Sequence, residues 1–207
     1  MDKFKKKALT LRQYLLGAEY FDAISAMEFA SKHHVGLRKD GVTPEFDHQI
    51  SIALYALTLP NLVHRQAVIA TIMLHDVRED YHVTDHEIRE IFSNPILANQ
   101  VSTSVENMTK EWRGTKKDAT KLFAAMAEDP IASIAKGSDR VHNFQSMVGV
   151  FKIEKQKEYI QEAKDLFLPM LKTARRNFPH QALAYENIKH MLLTQIELIE
   201  AMHEVVK

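Results

Sequence analysis

One stretch constrains this chain more than any other: Val68-Ile69-Ala70-Thr71-Ile72-Met73-Leu74-His75-Asp76-Val77-Arg78-Glu79-Asp80. An apolar run carries the backbone straight into a His-Asp pair, and two further carboxylates follow within one turn. Neighbouring helix residues diverge by only about 100°, so His75 and Asp76 can reach one ion from the same helix. Glu79 stands four residues after His75 and Asp80 four after Asp76, which returns both acids to roughly that face. Four ionisable groups entered through apolar residues are costly unless a cation or a substrate uses them. Imidazole and carboxylate are ligands that suit a divalent ion such as Mn, Fe or Zn. A His-Asp dipeptide alone reads as a helix ending in a solvated acidic patch. Glu79, Asp80 and the partners described below turn the reading toward a metal site.

The remainder of the chain is patterned for helices. Leu11, Tyr14 and Leu15, then Phe21, Ile24, Met27 and Ala30, repeat at helical spacing over 8–34, with Gly17 as punctuation. The segment 35–43, with Gly36 and Gly41, reads as a loop carrying Arg38-Lys39-Asp40. Pro44 suits the first turn of a helix through His48, Ile52 and Tyr55, closed by Leu59-Pro60-Asn61. The spacing Thr84-Asp85-His86-Glu87 is that of a capping box and predicts a short helix to Phe92. Helices are also predicted from Ile96 to Asn107, around Leu122, Ala125 and Met126, and from Asp129-Pro130 to near Asn143. Two long helical patterns close the chain, 152–174 and 181–204, separated by Asn177-Phe178-Pro179. Strand-type alternation is essentially absent, and six Gly and six Pro in 207 residues favour long helices over tight turns. The expected class is all-α, one bundle-like domain over 1–207.

Composition excludes several functions. Formal net charge is zero, so no global field recruits nucleic acid or an anionic membrane, and any anion site must be local. There is no cysteine, hence no disulfide, thiolate ligand or cysteine nucleophile. The basic N-terminus, Met1-Asp2-Lys3-Phe4-Lys5-Lys6-Lys7, is not followed by a signal-type apolar region, and no apolar run is long enough to span a bilayer. A soluble, cytoplasmic protein is expected. The polar, basic stretch 110–117 reads as a loop and a helix start, and Lys110 to Lys121 as a solvated face rather than a substrate lip.

Two further helical segments offer ligand-type side chains. One holds His48. The other is Ala135-Lys136-Gly137-Ser138-Asp139-Arg140-Val141-His142-Asn143, in which Lys136, Asp139 and Asn143 share one face. A cation, an acid and an amide so placed serve either a structural salt bridge or a metal with a phosphate.

The order of these pieces is a loop Arg-Lys, a His, then His-Asp-x-x-Glu-Asp, then Lys-x-x-Asp-Arg-x-His-Asn. It resembles the hydrolase domain of the RelA/SpoT type within the HD superfamily, especially the stand-alone small alarmone hydrolases. The likeness covers about 29–147, with C-terminal helices of the expected size at about 152–204. By that resemblance His48, His75, Asp76 and Asp139 match the ligands of one divalent ion, Mn²⁺, and Glu79 and Asp80 match the acidic pair that activates or orients water. Arg38 and Asn143 match nucleotide contacts, and Lys39 follows Arg38 as in the family. Lys136 and Arg140 match basic residues that support the site, Ser146 sits where a hydroxyl is usual, and the resemblance implies that all three bind substrate together with Arg38, Lys39 and Asn143. The implied substrate is a phosphorylated guanosine nucleotide, guanosine tetra- or pentaphosphate, losing its 3′-pyrophosphate. A different 2′- or 3′-phosphorylated nucleotide would use the same metal site. A non-catalytic nucleotide-binding module is disfavoured, because a pure binder gains little from uncompensated carboxylates.

The sequence departs from that family pattern at definite places. A His-x-Gly-Gln pattern reads His33-His34-Val35-Gly36-Leu37 here, and Pro-Tyr-Ile-x-His-Pro reads Pro44-Glu45-Phe46-Asp47-His48-Gln49. Tyr81 replaces a threonine after the acidic pair, and Ser138 an alanine before Asp139. All the matched ligands are kept. The changes fall near the nucleotide pocket.

Overall fold

The computed structural model describes residues 2–205. Its elements, in order, are helices α1 (Lys3–Gly17), α2 (Phe21–His33), α3 (Asp47–Leu57), α4 (Arg65–Leu74), α5 (Val77–Tyr81), α6 (Asp85–Glu90) and α7 (Pro95–Met108). A hairpin of two short strands, β1 (Glu111–Trp112) and β2 (Thr115–Lys116), interrupts them. Then come α8 (Ala119–Ala127), α9 (Ala132–Met147), α10 (Ile153–Glu162), α11 (Leu168–Asn177) and α12 (Ala182–Val205). The all-α expectation holds, and no helix among the described residues is long and apolar enough to cross a membrane.

Helix α4 is the axis of the molecule. Every residue from Ala67 to Leu74 is buried, as expected of a helix apolar on all sides. It packs against α2, α3, α7 and α9. Each fully buried Val, Leu or Ile contributes roughly 1.5–3 kcal/mol, so this one element supplies much of the force that assembles its neighbours. Helices α3, α4 and α9 also touch one another pairwise. Three segments far apart in sequence, each with ligand-type side chains, therefore meet at one place.

Gly137 sets how closely α9 approaches the C-terminal helices. A Cβ there would lie 2.9 Å from Ile188 Cγ2 and 3.2 Å from Leu171 Cδ2. Gly137→Ala is expected to overpack this contact at a cost of about 1–3 kcal/mol. Thermal unfolding checks it: a drop of roughly 2–12 °C is expected for a chain of this size. An unchanged midpoint would show that α9 can move aside.

Several sequence expectations need correction. Pro44 does not open α3, which starts at Asp47. It pairs instead with Leu37 in an antiparallel bridge. Asp40 closes that loop: its Oδ1 accepts from the backbone N–H of Val42 and of Thr43, both at 2.9 Å. The stretch 110–117 forms the hairpin rather than a loop and helix start, because Arg113 (φ 49°) and Gly114 (φ 81°) both take the positive φ that a tight two-residue turn requires. Helix α9 begins at Ala132, with Asp129 Oδ1 accepting from the N–H of Ile131 (2.8 Å) and Ala132 (2.9 Å), and runs one turn past Asn143. The long helix expected over 152–174 contains a π turn at Ala163–Phe167, just before Pro169. Proline lacks an N–H and its ring excludes the usual carbonyl partner, which the extra residue of a π turn accommodates. The capping box at Thr84 is present, with both reciprocal hydrogen bonds formed.

Candidate metal and active site

His75 and Asp76 lie where α4 gives way to α5, not inside one uninterrupted helix. Both keep right-handed helical dihedrals, so their side chains still diverge as adjacent helix residues do. The His75 Nδ1 contacts the Ile72 carbonyl oxygen at 2.8 Å, so Nδ1 carries the proton in the neutral ring. Its Nε2 then presents a lone pair to Asp76 Oδ2 at 3.0 Å. On α3, His48 turns Nδ1 toward His142 Nδ1 at 2.8 Å and Nε2 toward Asp139 Oδ1 at 3.1 Å. Ligand-type atoms of His48, His75 and Asp76 all lie within 4.8 Å of one another, and Asp139 joins the group through His48.

Two buried imidazole nitrogens thus face two carboxylates, an arrangement of converging electron pairs that a cation satisfies. Without one, a proton takes that place at His75. Burial alone would lower the His75 pKa, but the charge and hydrogen bond of Asp76, with Asp139 behind it, outweigh burial and push it up to about 9. Asp76 is correspondingly held below the usual carboxylate range, the His75 interactions overcoming burial. Asp139 is also held well below that range, Lys136 and the two histidines overcoming burial. His48 moves the other way, burial lowering it. The donor set of His48, His75 and Asp76 fits a divalent ion, and Asp139 lies outside that group of three, one contact away through His48.

The other acids flank this group. Glu79 Oε2 accepts from the backbone N–H of Lys110 at 2.9 Å. Lys110 is held there because the hairpin docks on α5: the guanidinium groups of Arg78 and Arg113 lie 4.4 Å and 5.1 Å from the Trp112 ring centre. Asp80 is exposed at its outer side, yet the partial burial of its carboxyl together with Asp76, Glu79 and Glu45 pushes its pKa up to about 6. Lys110 itself departs from the solvated face expected of its stretch. Its ammonium lies 3.5 Å from Glu162, and burial and the neighbouring Lys136 lower its pKa. Arg113, Lys116, Lys117 and Lys121 are exposed, as expected.

A cavity of about 430 Å³ opens beside the cluster, lined by Arg38, Lys39, Glu45, His48, Gln49, Asp76, His142, Asn143, Ser146, Phe151 and Tyr159, among others. That is within the usual range for a small-ligand site. Arg38 Nη2 donates to Ser146 Oγ at 3.2 Å, and the Lys39 ammonium sits 4.9 Å from the Phe151 ring centre. Asn143 Nδ2 donates to Asp139 Oδ1 at 2.7 Å, so the amide that lines the cavity also steadies a carboxylate of the cluster. Lys136 and Arg140 are not on the cavity wall. Lys136 is buried, 3.0 Å from Asp139 Oδ2. Arg140 is buried against the rings of Phe167 (4.1 Å) and Tyr159 (4.5 Å) and pairs with Glu162.

Sequence reasoning missed His142 as a partner of His48, although its spacing three residues after Asp139 carried the signal. It also missed Gln49, whose Nε2 donates to Asp76 Oδ2 at 3.2 Å. Lys110 acts on Glu79 through a backbone N–H, which no side-chain pattern reports.

The fold and the cluster define a helical protein with a buried His/Asp centre suited to a divalent ion. Residues 26–177 match the HD domain family, and the chain belongs to that family. Among curated proteins it is similar to guanosine-3′,5′-bis(diphosphate) 3′-pyrophosphohydrolase of Aquifex aeolicus (strain VF5), 31% identical over 150 residues, which make up 70% of this chain and 20% of that protein. A probable enzyme of the same name from Synechocystis sp. (strain ATCC 27184 / PCC 6803 / Kazusa) is 29% identical over 145 residues, 69% of this chain and 19% of that protein. GTP pyrophosphokinase of Myxococcus xanthus is 29% identical over 154 residues, 70% of this chain and 19% of that protein. The chain thus spans about a fifth of the length of these relatives.

Proposed function

We propose that this chain is a divalent-metal-dependent phosphohydrolase that removes the 3′-pyrophosphate from guanosine tetra- or pentaphosphate. The observation that carries the reading is the pairing of buried His48 and His75 and half-buried Asp76 with a cavity walled by Arg38, Lys39 and Asn143. Similarity to guanosine-3′,5′-bis(diphosphate) 3′-pyrophosphohydrolases supports the choice of substrate.

His48, His75, Asp76 and Asp139 would hold the ion, most suitably Mn²⁺. A bound divalent ion supplies polarised water near neutral pH and screens charge on phosphoryl oxygens. Asp80, with its pKa near 6, is poised to accept a proton from attacking water. Glu79, fixed by the Lys110 N–H, orients that water from the other side. Arg38 binds phosphate or base at the cavity mouth, and its planar fork suits two parallel hydrogen bonds. Lys39 adds a point charge, Asn143 contacts the ribose beside the metal centre, and Ser146 orients Arg38. The Phe151 and Tyr159 rings give the nucleobase an apolar wall. Lys136 and Arg140 support from behind, the first as counter-charge to Asp139 and the second by fixing α10 through Glu162.

A nucleoside anchored by Asn143 and Arg38 would expose the phosphorus on the ribose 3′-oxygen to water. The P–O3′ bond breaks, the 3′-oxygen departs with GDP and takes up the proton that Asp80 accepted from water, and the attacked phosphorus is released within pyrophosphate as one unit. Phosphorus NMR of guanosine tetraphosphate hydrolysis is expected to show GDP and pyrophosphate as first products. Orthophosphate as first product would point to a phosphomonoesterase. Cleavage of a different phosphorylated nucleotide instead would show that the changes at Val35-Gly36 and Glu45-Phe46 rebuilt the pocket.

A further inference from the structure

Three positions at which the sequence leaves the RelA/SpoT-type pattern, Glu45, Gln49 and Tyr81, are joined in space, Tyr81 to Glu45 directly and Glu45 to Gln49 through His34. The Tyr81 hydroxyl donates to both carboxylate oxygens of Glu45 at 3.0 Å. His34 Nδ1 lies 3.2 Å from Glu45 Oε1, and His34 Nε2 lies 3.4 Å from Gln49 Nε2. Gln49 Nε2 in turn donates to Asp76 Oδ2 at 3.2 Å. One protonation pattern satisfies every contact. A neutral His34 with its proton on Nδ1 donates to Glu45 and accepts from Gln49 on Nε2, and the second amide hydrogen of Gln49 goes to Asp76.

The geometry fixes each member. His34 and Gln49 are buried, at 4% and 1% exposure. The Gln49 carbonyl oxygen is buried with no partner. Rotating the amide would give that oxygen no better place, since it would then face the Asp76 carboxylate. The orientation is therefore set by the two acceptors, His34 and Asp76. Glu45 is pinned by its backbone N–H, which donates to the Gly36 carbonyl at 2.9 Å. A Cβ at residue 36 would come within 3.0 Å of Glu45 Oε2, so glycine leaves room for that carboxylate. The proline usual at position 49 in the resembled pattern has no side-chain donor.

We propose that Tyr81, Glu45, His34 and Gln49 form one hydrogen-bonded chain of positioning residues that orients Asp76 toward the metal ion. This rests on the reading of His48, His75, Asp76 and Asp139 as metal ligands. Outer partners of metal ligands commonly set affinity by about 10- to 100-fold. Because the chain is linear, loss at its far end is transmitted only through Gln49.

The test is Mn²⁺ affinity, read from the spin resonance of free Mn²⁺, in the chelator-stripped full chain. Gln49→Met keeps the shape and removes the amide; it is expected to weaken Mn²⁺ by about 10- to 100-fold. Tyr81→Phe removes only a hydroxyl at the distant end and is expected to weaken Mn²⁺ by a smaller factor. In Tyr81→Phe/Gln49→Met the loss is expected to equal that of Gln49→Met alone. Unchanged affinity in both single variants, or multiplied losses in the double variant, would overturn the proposal. A wild-type chain that binds no Mn²⁺ would instead overturn the metal reading on which it rests. Thermal unfolding separates a folding defect, and Tyr81→Phe, which removes no buried packing, keeps the comparison decisive if Gln49→Met fails to fold.

Discussion

Asp139→Asn is expected to lose Mn²⁺ binding and hydrolysis together while keeping the helical fold. The carboxylate lies 3.1 Å from His48 Nε2 and 3.0 Å from Lys136 Nζ, and all three groups are buried. The amide keeps the shape and can still accept from Lys136, but it removes the charge that a divalent ion needs. The loss of metal affinity should exceed the roughly 10- to 100-fold that an outer partner costs. Asp139→Ala should do more damage, because it leaves Lys136 as a buried cation without its partner. Removing one member of such a pair costs about 3–5 kcal/mol, which is roughly 6–20 °C of melting temperature at this chain length. Circular dichroism and metal analysis of the two variants separate the effects. Full metal occupancy in Asp139→Asn would remove Asp139 from the ligand set.

The second large effect concerns the acidic pair. Glu79→Gln and Asp80→Asn are each expected to keep Mn²⁺ and to lower kcat by about 100- to 10,000-fold, the usual contribution of a general acid or base. Glutamine at position 79 can still accept the Lys110 N–H, so the hairpin should stay docked. The two residues differ in their pH signature. Asp80 must be ionised to accept a proton, and its pKa is raised to about 6 by burial and by Asp76, Glu79 and Glu45. Wild-type kcat/KM should therefore fall as pH drops through about 6. A bound cation near Asp76 favours the ionised form and moves that limb lower. The limb should disappear in Asp80→Asn and persist in Glu79→Gln. A limb unmoved in Asp80→Asn would transfer the proton-accepting role to Glu79.

The parts of this site that were legible in the sequence are those in which chemistry and helical spacing coincide. His75, Asp76, Glu79 and Asp80 are close in sequence, and Lys136, Asp139 and Asn143 lie on one helix face, so side-chain type and period place them. The apolar run before His75 also marked the axis of the fold, since a helix apolar on every side has to be wrapped by others. What was not legible depends on backbone detail or on long-range meeting. The hairpin at 111–116 turns on positive φ at Arg113, a residue that does not announce it. Its docking through Trp112 on Arg78, and the resulting Lys110–Glu79 contact, bring together groups 31 residues apart. Tyr81 and Glu45 are 36 residues apart and Gln49 and Asp76 are 27 apart, separations that no helical period encodes. Arg140 shows the opposite failing. Its place beside Asp139 suggested a substrate contact, yet its side chain points the other way, into a ring of aromatics.

The central claim is that this chain hydrolyses a phosphorylated guanosine nucleotide with one divalent ion held by His48, His75, Asp76 and Asp139. Titration of Mn²⁺ into the chelator-stripped chain, with guanosine tetraphosphate hydrolysis followed in the same samples, tests it most directly. Binding is expected to saturate at one ion per chain, with hydrolysis absent before the first addition and rising in proportion to occupancy. Hydrolysis that persists undiminished under excess chelator, or a chain saturated with Mn²⁺ that cleaves no phosphorylated nucleotide, would contradict it.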